Sequence, residues 1–269
     1  ALGRGPRTFP TVSLAAVAAT TTADRQEDRL QTAQVAQTLM FLLTMLLAGM
    51  VLSNLVEEKG NKIIEVLAAA IPMDAVFFGK LFAMLAVSLV AIGVWGGVGG
   101  AILLAGSDVL EPVAAPAVGW PLFLALGGLY FALAYLLIGS VFLAIGSMAA
   151  TVREVQTLSL PATMLQLFVF LFATYAMTRP DSPVELAAIL VPFSSPFAML
   201  ARAAQDGAVW PHLAAIAWQV GWVIMLVRFG ARLFRTRVMK SGAGGGLPGR
   251  RKWFRRKWFR REAAAARAQ

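Results

Sequence analysis

Few residues in this chain have the types and spacing that catalysis requires. A phosphate-binding loop needs a glycine five residues before a Gly-Lys pair and a Ser or Thr directly after it. Gly79 and Lys80 form such a pair, but Asp74 occupies the position of the first glycine and Leu81 that of the hydroxyl residue. We therefore predict that the chain does not hydrolyse ATP, is not an enzyme and has no cofactor of its own.

The histidine and serine residues do not form a hydrolase pattern either. A zinc protease needs HExxH, but His212 is the one histidine and has no such pattern around it. Ser140 and Ser147 lie in an apolar stretch, with neither a base nearby in sequence nor a GxSxG turn. The chain has no cysteine, which excludes thiolate metal sites. We interpret His212 as a residue at the membrane interface and predict no metal site.

The most informative charged residues lie between Glu57 and Lys80, where a short amphipathic segment separates two long apolar runs. Its apolar residues recur at helical spacing, which predicts a surface helix over 57–71. Pro72 ends this helix because it has no N–H to donate, and Asp74 can cap the next one. The apolar members are Ile63, Val66, Leu67, Ala70 and Ile71, and the polar members are Glu58, Asn61, Lys62 and Glu65. Such a helix either rests on lipid as an interfacial elbow or binds a soluble partner.

The composition places these residues in a membrane protein. Hydrophobic residues make up 58% of the 269 positions and the mean hydropathy is +0.70, whereas about 45–50% of a soluble domain is apolar. We predict an all-α polytopic membrane protein of about five transmembrane helices, with an amphipathic cytoplasmic helix and outer re-entrant helices. The predicted spans are 34–56, 76–105, 120–148, 157–178 and 212–227 with a short extension.

Several positions in these spans have specific expectations. Lys80, near the start of the second span, is expected to extend its side chain to the lipid headgroups. The second span carries a run of small residues that predicts close helix packing. These residues are Gly93, Gly96, Gly97, Gly99 and Gly100. Pro161 is expected near the start of the fourth span, where proline is tolerated.

Five prolines interrupt the amphipathic region between Arg179 and Pro211. The two apolar pieces between them, 184–191 and 197–204, are each too short to cross a bilayer. We therefore predict re-entrant or interfacial helices for this region.

The chain divides into three predicted parts: 1–33, 34–240 and 241–269. Residues 1–33 are interpreted as an extracytoplasmic segment at the end of a larger domain, with a signal peptide around Val12–Ala19 as the alternative. Residues 34–240 form the transmembrane domain. The tail after it is basic and repeats RKWFR at 251–255 and 256–260. Such a tail fits an anionic membrane surface, and we prefer this to nucleic-acid binding.

The positive-inside rule gives an orientation. From Arg228 onward the chain holds fourteen of its twenty-four Lys and Arg residues, so the C-terminus is predicted to be cytoplasmic. Counting spans backwards places Arg153 and the 57–71 helix on the same side. The N-terminal segment, the loop after Gly106 and the proline-rich region are then outside. The predicted location is the inner (plasma) membrane.

Three stretches carry a resemblance to a known family: EEKGNKIIEVL at 57–67 with FFGK at 77–80, GSMAATVREVQTLSLP at 146–161, and VPFSSPFAMLARAA at 191–204. In this order they resemble the type-2 ABC exporter permeases, and more narrowly the sodium-extruding or multidrug branch. The resemblance covers about 34–240. Members of that family carry a first span and an outer domain before this block, so the resemblance implies that the chain lacks both.

The resemblance implies a permease subunit that exports ions or amphipathic small molecules. A separate cytoplasmic ABC ATPase would hold ATP and Mg²⁺, and a second permease copy, identical or a sister subunit, would complete the pathway in the lipid bilayer. The implied ATPase-coupling residues are Glu57, Glu58, Lys59, Lys62, Ile63, Glu65, Val66 and Leu67. The implied outer gate consists of Pro192, Phe193, Ser195, Pro196 and Phe197.

A stand-alone channel or secondary transporter is the alternative. Such proteins commonly place ionisable groups inside the membrane, but the interiors of the five predicted spans hold none. Their polar residues are Thr44, Ser88, Tyr130, Tyr135, Gln166, Thr174, Tyr175 and Gln219. The absence of buried carboxylates disfavours proton coupling and favours a permease that receives its energy from ATP elsewhere.

Overall fold

The structure is a computed structural model that describes residues 22–60, 72–105, 114–149 and 151–243, and within these ranges every regular element is a helix. The helices are α1 (Thr22–Gly60), α2 (Met73–Ala105), α3 (Trp120–Met148), α4 (Val152–Met177), α5 (Pro183–Leu190), α6 (Ser195–Gln205) and α7 (Trp210–Ala243). The all-α class predicted from the sequence is confirmed.

Five of the described helices are long and apolar enough to cross a membrane. Their spanning segments are Arg25–Asn54, Asp74–Ile102, Trp120–Met148, Arg153–Met177 and Trp210–Thr236. Even the shortest has 25 residues, and at 1.5 Å per residue it is about 37 Å long, more than the ~30 Å hydrocarbon layer. The predicted number of spans is confirmed.

The helix ends differ from the predicted ones. α1 begins well before Gln34 and continues through Glu57–Gly60, so the first turn of the predicted surface helix is part of α1. α4 begins at Val152 because the Thr151 side chain accepts a hydrogen bond from the Glu154 N–H at 3.2 Å. Pro161 therefore lies inside α4 rather than near its start.

Helix α3 forms the centre of the bundle. In the most apolar 18-residue stretch of α3, 72% is buried within the protein, compared with 22–33% of the corresponding stretches in the other four spans. Tyr130, Tyr135 and Leu137 of α3 have no exposed surface. The other four spans therefore surround α3 and leave most of the residues in their apolar segments exposed on the outside of the bundle.

Close helix packing occurs at other glycines than the predicted ones. A Cβ added at Gly93, Gly96, Gly97, Gly99 or Gly100 would meet no described atom within 4 Å, so the prediction of close packing there is wrong for the described structure. A Cβ at Gly230 of α7 would lie 2.9 Å from the Phe77 ring and 3.3 Å from the Ser140 carbonyl oxygen. Gly230 thus allows α7 to approach α2 and α3.

We expect Gly230→Val to destabilise the bundle by about 1–3 kcal/mol, because overpacking a filled contact forces the neighbouring helices apart. The matched control is Gly221→Val on the same helix, where an added Cβ meets nothing within 4 Å. Thermal unfolding in detergent measures both. Equal midpoints for the two variants would contradict the close contact at Gly230.

Candidate functional site

The bundle has two ends, which we name by their contents. The coupling end contains Glu57–Gly60 of α1, the first turns of α2 and the later turns of α7. The hairpin end contains α5, α6 and the start of α7, and here the Ala117 N–H donates to the Ala204 carbonyl oxygen at 2.9 Å. The segments at each end are those that counting spans along the chain places on the same side. Which side of the membrane each end faces stays a prediction.

Two ion pairs connect three helices at the coupling end. Lys80 of α2 donates to the Glu58 carboxylate of α1 at 2.6 Å, and the Lys80 side chain is only 12% exposed. Arg235 of α7 lies 3.4 Å from the Asp74 carboxylate of α2. The Phe77 and Phe234 rings pack beside this second pair, with centroids 5.7 Å apart. Ion pairs therefore connect α2 both to α1, at Glu58, and to α7, at Arg235.

These contacts correct two expectations. Lys80 does not extend to the headgroups, because its ammonium group is held by Glu58 inside the bundle. α2 begins at Met73, so Asp74 lies within its first turn rather than before it. The described polar contact of the Asp74 carboxylate is with Arg235.

Only some of the predicted ATPase-coupling residues are described. Glu57 is exposed, while Glu58 is half-buried and paired with Lys80. Lys59 lies in α1, but its side chain is not described. The remaining members lie outside the described residues, namely Lys62, Ile63, Glu65, Val66 and Leu67.

We expect Lys80→Met to cost about 1–3 kcal/mol, because the half-buried Glu58 carboxylate loses a charged hydrogen-bond donor. The double variant Lys80→Met/Glu58→Gln is expected to recover part of the loss, since neither charge is then unpaired. Unfolding midpoints of the wild type, both single variants and the double variant form the cycle. Strictly additive effects would show that the pair contributes no coupling energy.

Helices α5 and α6 form a hairpin that enters the bundle and returns. At its mouth the Gln205 side-chain amide donates to the Met177 carbonyl oxygen at the end of α4, at 3.4 Å. At its tip the Trp218 indole N–H donates to the Leu190 carbonyl oxygen at 3.0 Å. Trp218 is eight residues past the start of α7 at Trp210, which places the tip about 12 Å deeper than that start. The two short helices therefore have the geometry of the predicted re-entrant pieces.

The predicted outer-gate residues form the tip of this hairpin. Pro192 and Phe193 are half-buried, whereas Ser195, Pro196 and Phe197 are buried. The Gln219 side-chain amide of α7 donates to the Ser195 hydroxyl oxygen at 2.8 Å. The hairpin tip is thus fixed to α7 by polar contacts made inside the protein.

Three aromatic rings join the hairpin to two spans. Phe41 of α1 stacks on Phe170 of α4 with centroids 4.0 Å apart and planes at 16°. Phe197 of α6 meets both rings edge-on, at 6.0 Å from Phe41 and 6.3 Å from Phe170. Edge-to-face contact at these distances is the favoured aromatic geometry. We call these three residues the phenyl cluster.

Arg202 forms ion pairs across the open end of the α5–α6 hairpin. Its guanidinium lies 3.0 Å from Glu185, 3.0 Å from Asp206 and 3.3 Å from Asp181. Glu185 is the buried partner, with its side chain 8% exposed. Burial lowers the pKa of Arg202, but the facing carboxylates outweigh it and raise that pKa overall. We call Arg202 with its three carboxylates the arginine clip.

His212, Ser140 and Ser147, which were considered above for hydrolase chemistry, make hydrogen bonds within the helix bundle. His212 is buried against α3 rather than facing the membrane interface, and its Nδ1 lies 2.9 Å from the Tyr130 hydroxyl oxygen. Ser140 and Ser147 donate to the carbonyl oxygens of Leu137 and Ala144 in their own helix. The described residues contain no group of three or more His, Cys, Asp or Glu side chains arranged so that it could hold a metal ion.

Three buried amide side chains keep free hydrogen-bonding atoms. Gln37 of α1 has no described partner for either amide atom, Gln166 of α4 has none for its nitrogen, and Gln219 has none for its oxygen. A polar group without a partner in an apolar surrounding is costly. Sequence reasoning selected Gln166 and Gln219 but missed Gln37, which lies close to the predicted start of the first span.

Five candidate spans and a hairpin of two short helices define a helical membrane protein. The chain belongs to the ABC-2 family transporter proteins, whose sequence profile matches residues 8–230. This match confirms the resemblance to type-2 ABC permeases. The chain is thus a transmembrane component of an ABC transporter, and its family is not itself catalytic.

Two similar proteins are themselves uncharacterized. The chain is 30% identical over 166 residues to the uncharacterized protein MJ1024 of Methanocaldococcus jannaschii. The aligned region covers 61% of this chain and 39% of that protein. It is 23% identical over 235 residues to the uncharacterized protein YhaP of Bacillus subtilis, covering 82% and 55%. The chain thus spans about half the length of these relatives or less. No solved structure matches it.

Proposed function

We propose that this permease works with a separate cytoplasmic ABC ATPase and a second permease copy to export ions or amphipathic small molecules. The observation that carries the proposal is a pair of ion contacts at the two ends of residues 57–71: Glu58, near the start of the segment, pairs with Lys80 of α2, and Asp74, three residues after its end, pairs with Arg235 of α7. A force applied to the segment by ATP-driven closure would therefore act on α1, α2 and α7 together.

In this proposal the hairpin tip is the outer gate. The tip lies about 12 Å below the start of α7, is enclosed by the phenyl cluster and is fixed by Gln219. The free amide atoms of Gln37, Gln166 and Gln219 would hydrogen-bond polar groups of a passing substrate. Sodium or drug export is the narrower form of the proposal that the resemblance suggests.

The first experiment is co-purification of ABC ATPases with this protein from native membranes, using the wild type and a chain without residues 57–71. We expect the ATPase to be retained by the wild type and lost with the deletion. If no ATPase is recovered under any condition, the alternative of a stand-alone channel or carrier gains support. Flux into liposomes without ATP then tests that alternative.

We expect Glu65→Lys to leave ATP hydrolysis unchanged while transport falls about tenfold, which corresponds to the loss of ~1.4 kcal/mol of the proposed charged interaction with the ATPase. Glu27→Lys is the matched control, because it makes the same charge change at an exposed position at the opposite end. ATPase rate and transport are measured together in proteoliposomes. Wild-type coupling in Glu65→Lys would contradict the proposed role of the segment.

A further inference from the structure

A shallow groove runs along the exposed face of α7 toward the coupling end. It is open on its outer side, has a volume of about 390 Å³, and its described lining consists of Gly221, Ile224, Met225, Arg228, Phe229 and Arg232, all on α7. These positions recur every three or four residues, so they form one stripe of the helix. The apolar residues occupy one part of the groove and the two arginines the other.

The depth of this groove matches the boundary between lipid tails and headgroups. Trp210, 73% exposed, begins α7 at the hairpin end. Arg228 and Arg232 follow 18 and 22 residues later, which is about 27 and 33 Å along the helix axis. The hydrocarbon layer is ~30 Å thick, so the two guanidinium groups reach the opposite headgroup layer while Ile224 and Met225 stay at the level of the acyl chains.

The two arginines are available for an external anion. Both are exposed, and among the residues that the structure describes neither has a carboxylate within salt-bridge distance. Arg235, one turn further, differs because it contacts Asp74. Arginines four residues apart on a helix present their planar donor groups on one side, and guanidinium groups bind phosphate oxygens in a bidentate manner.

We infer that this groove binds one anionic phospholipid, with its phosphate between Arg228 and Arg232 and an acyl chain along Gly221, Ile224 and Met225. Gly221 contributes by leaving its side of the groove open, since an added Cβ there would meet no described atom within 4 Å. The same face of a second copy is a poorer occupant, because two arginine pairs would then approach each other. This inference stands on the membrane location alone and does not depend on the proposed transport partners.

The test uses the full chain in phosphatidylcholine liposomes that contain a small fraction of photoactivatable phosphatidylglycerol. Cross-linked peptides are mapped by mass spectrometry. We expect labelling of the segment 221–232, and we expect Arg228→Gln/Arg232→Gln to weaken it about 25-fold, at roughly fivefold for each arginine. Gly221→Leu should also reduce labelling, without any change of charge.

The matched control is Arg251→Gln/Arg255→Gln, which removes the same two charges from the basic tail. It is expected to leave labelling of 221–232 unchanged. An equal loss in this control would mean general electrostatic attraction, and equal labelling by a photoactivatable phosphatidylcholine would mean apolar contact only. Displacement by excess free glycerophosphate would mean a site for soluble phosphate. Each of these three outcomes overturns the inference.

Discussion

Replacing Arg202 by Met is expected to lower the stability of the protein by about 3–5 kcal/mol, because removing one partner of a buried ion pair leaves the other charge uncompensated. The energy comes mainly from Glu185, whose side chain is 8% exposed. Asp181 and Asp206 are 85% and 40% exposed, so water and salt screen their share of the interaction. Thermal unfolding of the purified protein should show a midpoint lower by about 10 °C.

The double variant Arg202→Met/Glu185→Gln separates this cause from simple loss of packing. Its neutral glutamine still accepts a hydrogen bond, so it should keep the contact that Glu185 makes with the Asp181 N–H at 2.6 Å. Most of the lost stability should therefore return. Arg153→Met is the control, because Arg153 is exposed and lies in the first turn of α4. A double variant no more stable than Arg202→Met would contradict the importance of the uncompensated charge.

The arginine clip also bears on the proposed gate. Its carboxylates come from the α4–α5 turn, from α5 and from the residue after α6, so one side chain joins both arms of the hairpin. If the hairpin opens during transport, Arg202→Met should weaken closure as well as folding. Passive leak of substrate measured at a temperature where the variant remains folded would distinguish these two effects.

The spans and the hairpin could be predicted from the sequence because they depend on hydropathy and on proline. Apolar runs of sufficient length predict spans, and the prolines between Arg179 and Pro211 limit α5 and α6 to short pieces. The starts of α4 and α5 also have a signal in the sequence. Thr151 and Ser182 each precede a Glu by three residues, which is a sequence signature of a capped helix start, and both side chains accept from that Glu N–H.

The polar contacts could not be predicted, because they join residues that are distant in sequence. Arg202 and Glu185 are 17 residues apart, Lys80 and Glu58 are 22 apart, and Arg235 and Asp74 are 161 apart. Hydropathy locates each span but does not give its rotation or its neighbours. The same limit explains the second-span glycines, since composition alone cannot distinguish a small residue facing lipid from one facing another helix.

The phenyl cluster is the second place where a single substitution should have a large effect. Phe197 has no exposed surface and contacts rings from α1 and α4. We expect Phe197→Ala to cost about 3 kcal/mol, at the low end of the range for Phe→Ala. The cost is at the low end because lipid tails are as apolar as the bundle interior, so lost packing rather than transfer from water dominates.

Phe197→Leu should fall between the wild type and the alanine variant, since it keeps part of the side-chain volume. The matched control is Phe168→Ala on α4, because Phe168 is 67% exposed and lies two residues before Phe170. Unfolding midpoints in the same detergent compare all three variants. A control that loses as much stability as Phe197→Ala would mean that α4 depends on aromatic surface in general. A loss confined to Phe197 would mean that contact with Phe41 and Phe170 fixes the hairpin tip in the bundle. The proposed gate requires such a contact, because it has to close against α1 and α4.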